Sequence, residues 1–590
     1  MKEEMKSLTQ LSAGTARRIC PSLPQQKIMT AIAILLAGFL SLCGFSQTHA
    51  AEFSGSLKSV SISTENNPAP VASFTYTITG STVAFNAVAS GNVSKFTWDF
   101  GDNAKGEGAT ATHQYNGLGT YQATLTAIDQ NGSATAYQSS FSLAPQSGGS
   151  LAPSSGNLLH QKNLIYRGAF RLPQGTPQGA TGCDSPYDCI FAYGGGPIAY
   201  NPPNMNDGKG TLFIGSCIYS QKIAEVSIPS PIASKNLEGL NMMDMTAKLQ
   251  EPYENNLKEL NTATLLQGFY DIMKGNKKNI LDKGAPYPDE VQSGGLMVYE
   301  DKFIGSVFTY FPGPTQVLSH YVSSKNLSSE GSFSGMFKIG TAVPARYLAN
   351  YIDSVPKEWQ EKLGGTAITG GGGLAIISTT SAGPSAFAFD PAALTPELLT
   401  KDRTAPASTL MYYPLEHPVS PLSDDGAANS NYNLTARIRG VVFPDGTDSV
   451  LFFGVIGVGE VCYGIGTADR SLVGKPVPNG IYNEIYDCYD PESNGKGFHA
   501  WPYMYQVWAY DAHDFVKVKN GDLNQATGRK WEPWEVMPYG VWQFRLPFQP
   551  GRPELLGTSY DRKHQTLYIS QDAGDGALPL IHVFEIDPTK

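Results

Sequence analysis

The sequence predicts an all-β protein in two parts, a small sandwich followed by a β-propeller of six or seven blades. Three observations predict it: short runs that alternate apolar and polar residues, a strand group that recurs along the chain, and abundant glycine and aromatics, 62 Gly in 590 residues and 11% Phe, Trp and Tyr.

The first element is an export signal. Arg17, Arg18 and Lys27 precede an apolar run from about Met29 to Phe45, and Thr48-His49-Ala50 before Ala51 suits a signal peptidase. The mature chain is therefore expected to start at Ala51, with no membrane span after cleavage, in a secreted, periplasmic or cell-surface setting. The whole chain carries 42 basic and 52 acidic side chains, a net charge of −10, and residues 1–50 take away more basic than acidic groups. Such an acidic surface disfavours nucleic acid and anionic lipid as partners. Cys20 and Cys43 leave with the signal. In an oxidising compartment the remaining cysteines are expected to pair as Cys183 with Cys189 and Cys462 with Cys488, leaving Cys217 over. Their spacings fit no zinc pattern.

Residues 51–144 read as the sandwich. Val71–Tyr76 and Thr82–Ala87 alternate as half-buried strands do, and the run Trp98-Asp99-Phe100-Gly101-Asp102 is followed by His113-Gln114-Tyr115, then by Gly119-Thr120-Tyr121 opening an alternating strand, then by the turn Asp129-Gln130-Asn131-Gly132. In that order these motifs resemble the PKD family. The resemblance implies an immunoglobulin-like sandwich with Trp98, Phe100, Tyr115 and Tyr121 in core or corner positions, serving as a spacer or contact module. Asp99 and Asp102 read as turn-capping residues, because short acidic side chains satisfy backbone donors in tight bends. A Gly-, Ser- and Pro-rich stretch, 145–157, reads as a flexible linker.

Residues 158–590 carry the repeat. Ala199-Tyr200-Asn201, Thr211–Ser216 and Ile223–Ile228 are echoed by Ser559-Tyr560-Asp561, Thr566–Gln571 and Ile581–Ile586, and weaker copies begin near Gly294, Gly373 and Gly440. One stretch, 236–281, departs from the pattern and reads as a short helical insertion, with Ala263–Met273 at helical spacing. The runs Cys488–Pro491, Lys496–Tyr503 and Tyr505–Ala512 are similar to a group of secreted bacterial propeller proteins, a resemblance that implies a fold and no reaction.

No G-x-S-x-G elbow, H-E-x-x-H motif or Walker loop is present. The densest polar and aromatic cluster is 482–513. There Trp501, Gln506, Tyr489 and Asp490 are the ligand-binding candidates, since an aromatic face stacks on a sugar ring while polar tips bond its hydroxyls. Packed aromatics between blades are the alternative reading. A catalytic version takes His499 with Tyr503 or Tyr505 as base and acid, and Arg437 or Arg439 to neutralise a substrate carboxylate, as an acidic-polysaccharide lyase requires. His320 is a further candidate from a different blade, or a histidine satisfied within the core. Asp572–Gly576 and Asp424-Asp425-Gly426 offer oxygen ligands but read as turns, and no metal or cofactor is expected. The leading expectation is recognition of extracellular polysaccharide, with a carbohydrate-active enzyme or a scaffold for an envelope protein as alternatives.

Overall fold

The computed structural model describes residues 71–590 except 80–81, 91–92, 103, 116–118, 144–156, 181–182, 184–187, 204–209, 218–219, 221, 234–256, 286–290, 310–314, 328–332, 374–379, 423–425, 428–430, 477–485 and 549–551. The expected signal segment and the linker up to residue 156 lie outside the described residues.

Two antiparallel sheets make the first part. Val71–Thr79, Thr82–Ser90 and Thr110–Gln114 form one; Lys105–Glu107, Val93–Asp99, Gly119–Asp129 and Ala134–Leu143 form the other. Alternation places Phe74, Phe85, Trp98, Phe100, Tyr115 and Leu125 in a single core between them. The polar atoms of that core are satisfied locally: the Trp98 indole donates to Gly108 O at 2.8 Å and the Tyr115 hydroxyl to Phe100 O at 2.8 Å. Asp99 accepts from the Gly101 amide at 3.0 Å and Asp102 from the Ala104 amide at 3.1 Å, the capping role their position in a bend implies. Gly101 has φ +81°, and a Cβ there would lie 2.3 Å from Gln122 O, so the motif requires glycine.

The second part is dominated by five sheets. The first holds Ile198–Asn201, Thr211–Gly215, Ile223–Ser227 and Leu265–Tyr270. The second holds Val291–Tyr299, Lys302–Thr309, His320–Ser324 and Gly335–Ile339, with Thr404–Ala405 added in parallel. The third holds Tyr351–Ser354, Ala367–Gly370, Ala386–Phe389 and Ala407–Met411. The fourth holds Arg437–Val442, Ser449–Gly457, Tyr503–Asp511 and Gly540–Phe544. The fifth holds Leu555–Asp561, Thr566–Asp575 and Leu578–Ile586, and takes Leu164–Arg171 as its outer strand. The first strand of each sheet neighbours the first strand of the next, and Leu555–Asp561 neighbours Ile198–Asn201.

Packing between sheets explains the composition of the strands. All nine residues of Ser449–Gly457 are buried. Val450, Phe452 and Ile456 pack with Tyr351, Ile368 and Leu410 of the third sheet, whereas Leu451, Phe453 and Val455 pack with Leu555, Leu567 and Phe584 of the fifth. A strand covered on both faces reads as a continuous apolar run, and each large side chain so buried contributes about 1.5–3 kcal/mol.

Four strands, Gly426–Ala427, Glu460–Thr467, Tyr486–Tyr489 and Lys496–His499, form a sixth sheet. The last three belong to an excursion, residues 458–502, that leaves the fourth sheet between its second and third strands. One expectation requires correction. Within the expected helical insertion, residues 234–256 lie outside the described residues, but Leu265–Tyr270 is a strand and Asn276–Ile280 a short 3-10 turn. Pairing along Ile223–Ser227 and burial of Phe269 against Phe191 override the local helical spacing.

Candidate functional site

The excursion carries the cluster that the sequence singled out. Glu460–Thr467 pairs in parallel with Tyr486–Tyr489 and antiparallel with Lys496–His499, and the Cys462–Cys488 disulfide joins the first two of these strands. Cys183–Cys189 closes the other expected loop. Cys217, expected to be left over, is buried and engaged.

Asp490 is the centre of the cluster. Its Oδ2 accepts from the Tyr503 hydroxyl at 2.7 Å and lies 2.8 Å from His499 Nδ1, while His499 Nε2 lies 3.0 Å from Gly495 O. All three side chains are buried. Arg552 lies over the Tyr503 ring, its guanidinium carbon 4.0 Å from the centroid and Nη1 4.0 Å from Asp490 Oδ2. Burial alone would raise the Asp490 carboxyl; the hydrogen bonds from His499 and Tyr503 and the charge of Arg552 outweigh it and hold the group below its ordinary value. Burial pushes the Tyr503 phenol well up.

Arg552 links this cluster to a second carboxylate. Glu554 accepts from Arg437 Nη1 at 2.7 Å and feels the charges of Arg437, Arg439 and Arg552, which outweigh its burial and depress it. Arg439 in turn lies over the Phe308 ring at 4.9 Å, with Arg346 over the same ring at 4.7 Å. Beside Glu554, Asp572 is pushed up to about 6 by burial and by the Glu554 charge. On the outer side, Tyr489 meets Trp501 edge-on at 5.3 Å, and Arg470 lies 3.7 Å over the Tyr489 ring. Glu492 is raised by its burial and by Asp490. Tyr489, Trp501, Arg437 and Arg439 are part-exposed, so the network has a solvent-facing rim and a closed interior.

Of the candidates, His499, Tyr503, Asp490, Trp501, Tyr489, Arg437 and Arg439 fall into this one network. Tyr505 is fully buried behind it, 3.3 Å from Gln571 Nε2, and Gln506 is buried, bonding Asn431 O and Gln543. His320 lies elsewhere, between the second and third sheets, with Ser319 Oγ and Thr369 Oγ1 each 2.9 Å from its ring nitrogens; burial lowers it to about 3. As a base, His499 has no free nitrogen, since both face acceptors. Sequence reasoning missed Arg552 and Glu554; a charged pair in a Pro- and Gly-rich connection entering a strand was the available signal. Among the described residues no group of three or more His, Cys, Asp or Glu could hold a metal ion. Asp575 instead pairs with Arg171 at 2.7 Å, and Asp424 and Asp425 lie outside the described residues.

Comparison with known proteins bears on the first part of the chain. Residues 66–144 match the PKD domain family, and that segment is a PKD domain. A 42-residue stretch, 7% of this chain, is 48% identical to collagenase ColA of Clostridium perfringens (strain 13 / Type A), of which it covers 4%. Among solved structures, the PKD1 domain of the Vibrio cholerae metalloprotease PrtV is 30% identical, with 13% of this chain and 100% of that one covered and a TM-score of 0.13. The PKD1 domain of Vibrio anguillarum Epp is 23% identical, with 13% and 96% covered and a TM-score of 0.13. A glycosyl hydrolase from Bacteroides ovatus covers 74% of this chain and 97% of its own, at 9% identity and a TM-score of 0.32. These scores are too low to carry an argument about the second part. No helix among the described residues is long and apolar enough to cross a membrane.

Proposed function

We propose that the five sheets are blades of a propeller, and that the protein is an exported recognition protein that binds polysaccharide at the end of the ring from which residues 458–502 project. Two features support the propeller: the cyclic order in which the first strands neighbour one another, and the completion of the last sheet by Leu164–Arg171, which ties the start of the repeat to its end. A PKD domain and paired cysteines accord with an oxidising, extracellular setting.

One observation carries the binding reading: the part-exposed Tyr489 and Trp501 rings stand beside a network of charged groups running from Asp490 through Arg552 to Glu554 and Arg437. Flat apolar faces beside fixed donors and acceptors suit a sugar, whose ring stacks while its hydroxyls or carboxylate are bonded. Lyase chemistry through His499 and Tyr503 has less support, because the hydroxyl is committed to Asp490 and the imidazole to Asp490 and Gly495.

The test is retention of the chain from Ala51 onward on a panel of acidic and neutral polysaccharides, with ultraviolet absorbance followed for unsaturated ends. Retention without products, weakened about tenfold in Trp501→Ala by loss of a stacking face, is the expected outcome. Retention on no polymer would overturn the reading and leave a protein scaffold in its place. Unsaturated products would replace it with the lyase.

A further inference from the structure

We infer that the PKD domain is a brace for the excursion that carries the candidate site, holding the neck of residues 458–502 through Tyr137. The Tyr137 hydroxyl donates to Val458 O at 2.6 Å, across 321 residues of sequence. Val458 lies at the point where the excursion leaves the fourth sheet. Its amide donates to Pro502 O at 2.8 Å and the next amide, Gly459, to Ala500 O at 2.9 Å, so both limbs of the excursion are joined at this neck. A Cβ on Gly459 would lie 1.8 Å from Trp501 O, which shows how closely the limbs approach there.

Three further contacts make the placement specific. Val71–Thr79 of the PKD domain lies beside Gly540–Phe544, the outer strand of the fourth sheet among the described residues. Ala134–Leu143 lies beside Gly426–Ala427, a strand of the excursion's own sheet. Val88 packs, with Val541, against the large core shared by the third and fourth sheets. Burial raises the Tyr137 phenol, as does the charge of Glu460, the first residue of the excursion's first strand. A spacer on a flexible tether has no reason to make these contacts. A positioning module does, because fixing the neck fixes Asp490, His499 and Trp501 further along the same limbs, and a loop ordered in advance costs less to order on binding.

The experiment needs no ligand, so its outcome is independent of the polysaccharide reading. Amide hydrogen exchange is compared between the full chain and Tyr137→Phe, which removes one hydroxyl and keeps the ring. The brace predicts exchange roughly tenfold faster in Glu460–Thr467 and Lys496–His499, with Thr566–Asp575 unchanged, as expected when one well-placed hydrogen bond holding a local unit is lost. Should that variant fold poorly, Val88→Ala trims the contact at the fourth sheet instead, and the same local acceleration is expected. Equal exchange in the excursion for wild type and variant, or small-angle scattering that requires the PKD domain to move freely of the sheets, would overturn the inference.

Discussion

Two buried histidines, His320 and His499, sit in the same array of sheets and were both singled out by their sequence, yet their surroundings are opposites. His320 is held by hydroxyls. Thr369 Oγ1 lies 2.8 Å from Leu348 O and 2.9 Å from Tyr351 O and so gives its proton to a carbonyl, which leaves it to accept from His320 Nε2, while Ser319 donates to Nδ1. The ring is a neutral, satisfied strut between two sheets. His499 is held by Asp490, which also holds Tyr503 and faces Arg552. One site keeps charge out, and the other gathers it next to a part-exposed rim. The difference teaches that burial alone does not define a histidine's surroundings; the charge of its partners, and what lies beyond them, does.

The largest effect that would break this comparison is expected at Asp490. Asp490→Ala removes the acceptor of two side chains and leaves Arg552 buried beside one carboxylate fewer, so it should destabilise the fold by about 3–5 kcal/mol, measured by denaturant unfolding. A loss below about 1 kcal/mol would mean that the cluster is solvated and that the contrast with His320 is false.

Next in size is a dependence on pH. His320 falls from 6.5 in the unfolded chain to about 3 in the fold, and burial does the same to His582. Below pH 6.5 the unfolded chain therefore binds protons that the fold refuses, and each histidine lowers stability by up to about 1.4 kcal/mol per pH unit on the way down to about pH 3. Asp490 acts in the other direction of cause: its folded value is depressed, so its contribution is intact above the ordinary carboxylate value and is lost only as the pH falls below that. Asp353 and Asp572, both pushed up to about 6, oppose the histidines between 3.8 and 6. His320→Gln should flatten the stability profile between pH 6.5 and 4, measured by denaturant unfolding across that window. Equal slopes in wild type and His320→Gln would show that the ring is reached by water.

The same contrast explains what was legible in the sequence. The PKD domain was readable because its signature is local: the indole of Trp98 meets Gly108 ten residues on, and Asp99, Asp102 and Asp129 cap bends within a few residues of themselves. Asp490, His499 and Tyr503 were grouped for the same reason, being within one short stretch. Individual strands of the five sheets were readable too, but their pairing was not. Leu164–Arg171 pairs with Leu578–Ile586 at the far end of the chain, and the second and third strands of the fourth sheet are separated by the whole excursion. Arg552 and Glu554 were missed because the side chains that give them meaning, Arg437 and Asp490, are distant in sequence and reach them only when the fourth and fifth sheets stack.

The smallest expected effect asks which force keeps His320 neutral. Ser319 is buried, and its hydroxyl is the donor to Nδ1. Ser319→Ala removes that donor and leaves one lone pair unsatisfied in the core, which should cost about 1 kcal/mol in unfolding free energy at neutral pH. Burial, not this hydrogen bond, is what disfavours the imidazolium, so the slope between pH 6.5 and 4 should survive in the variant. A slope lost together with the hydroxyl would assign the neutral state of His320 to the hydrogen bond, with burial secondary.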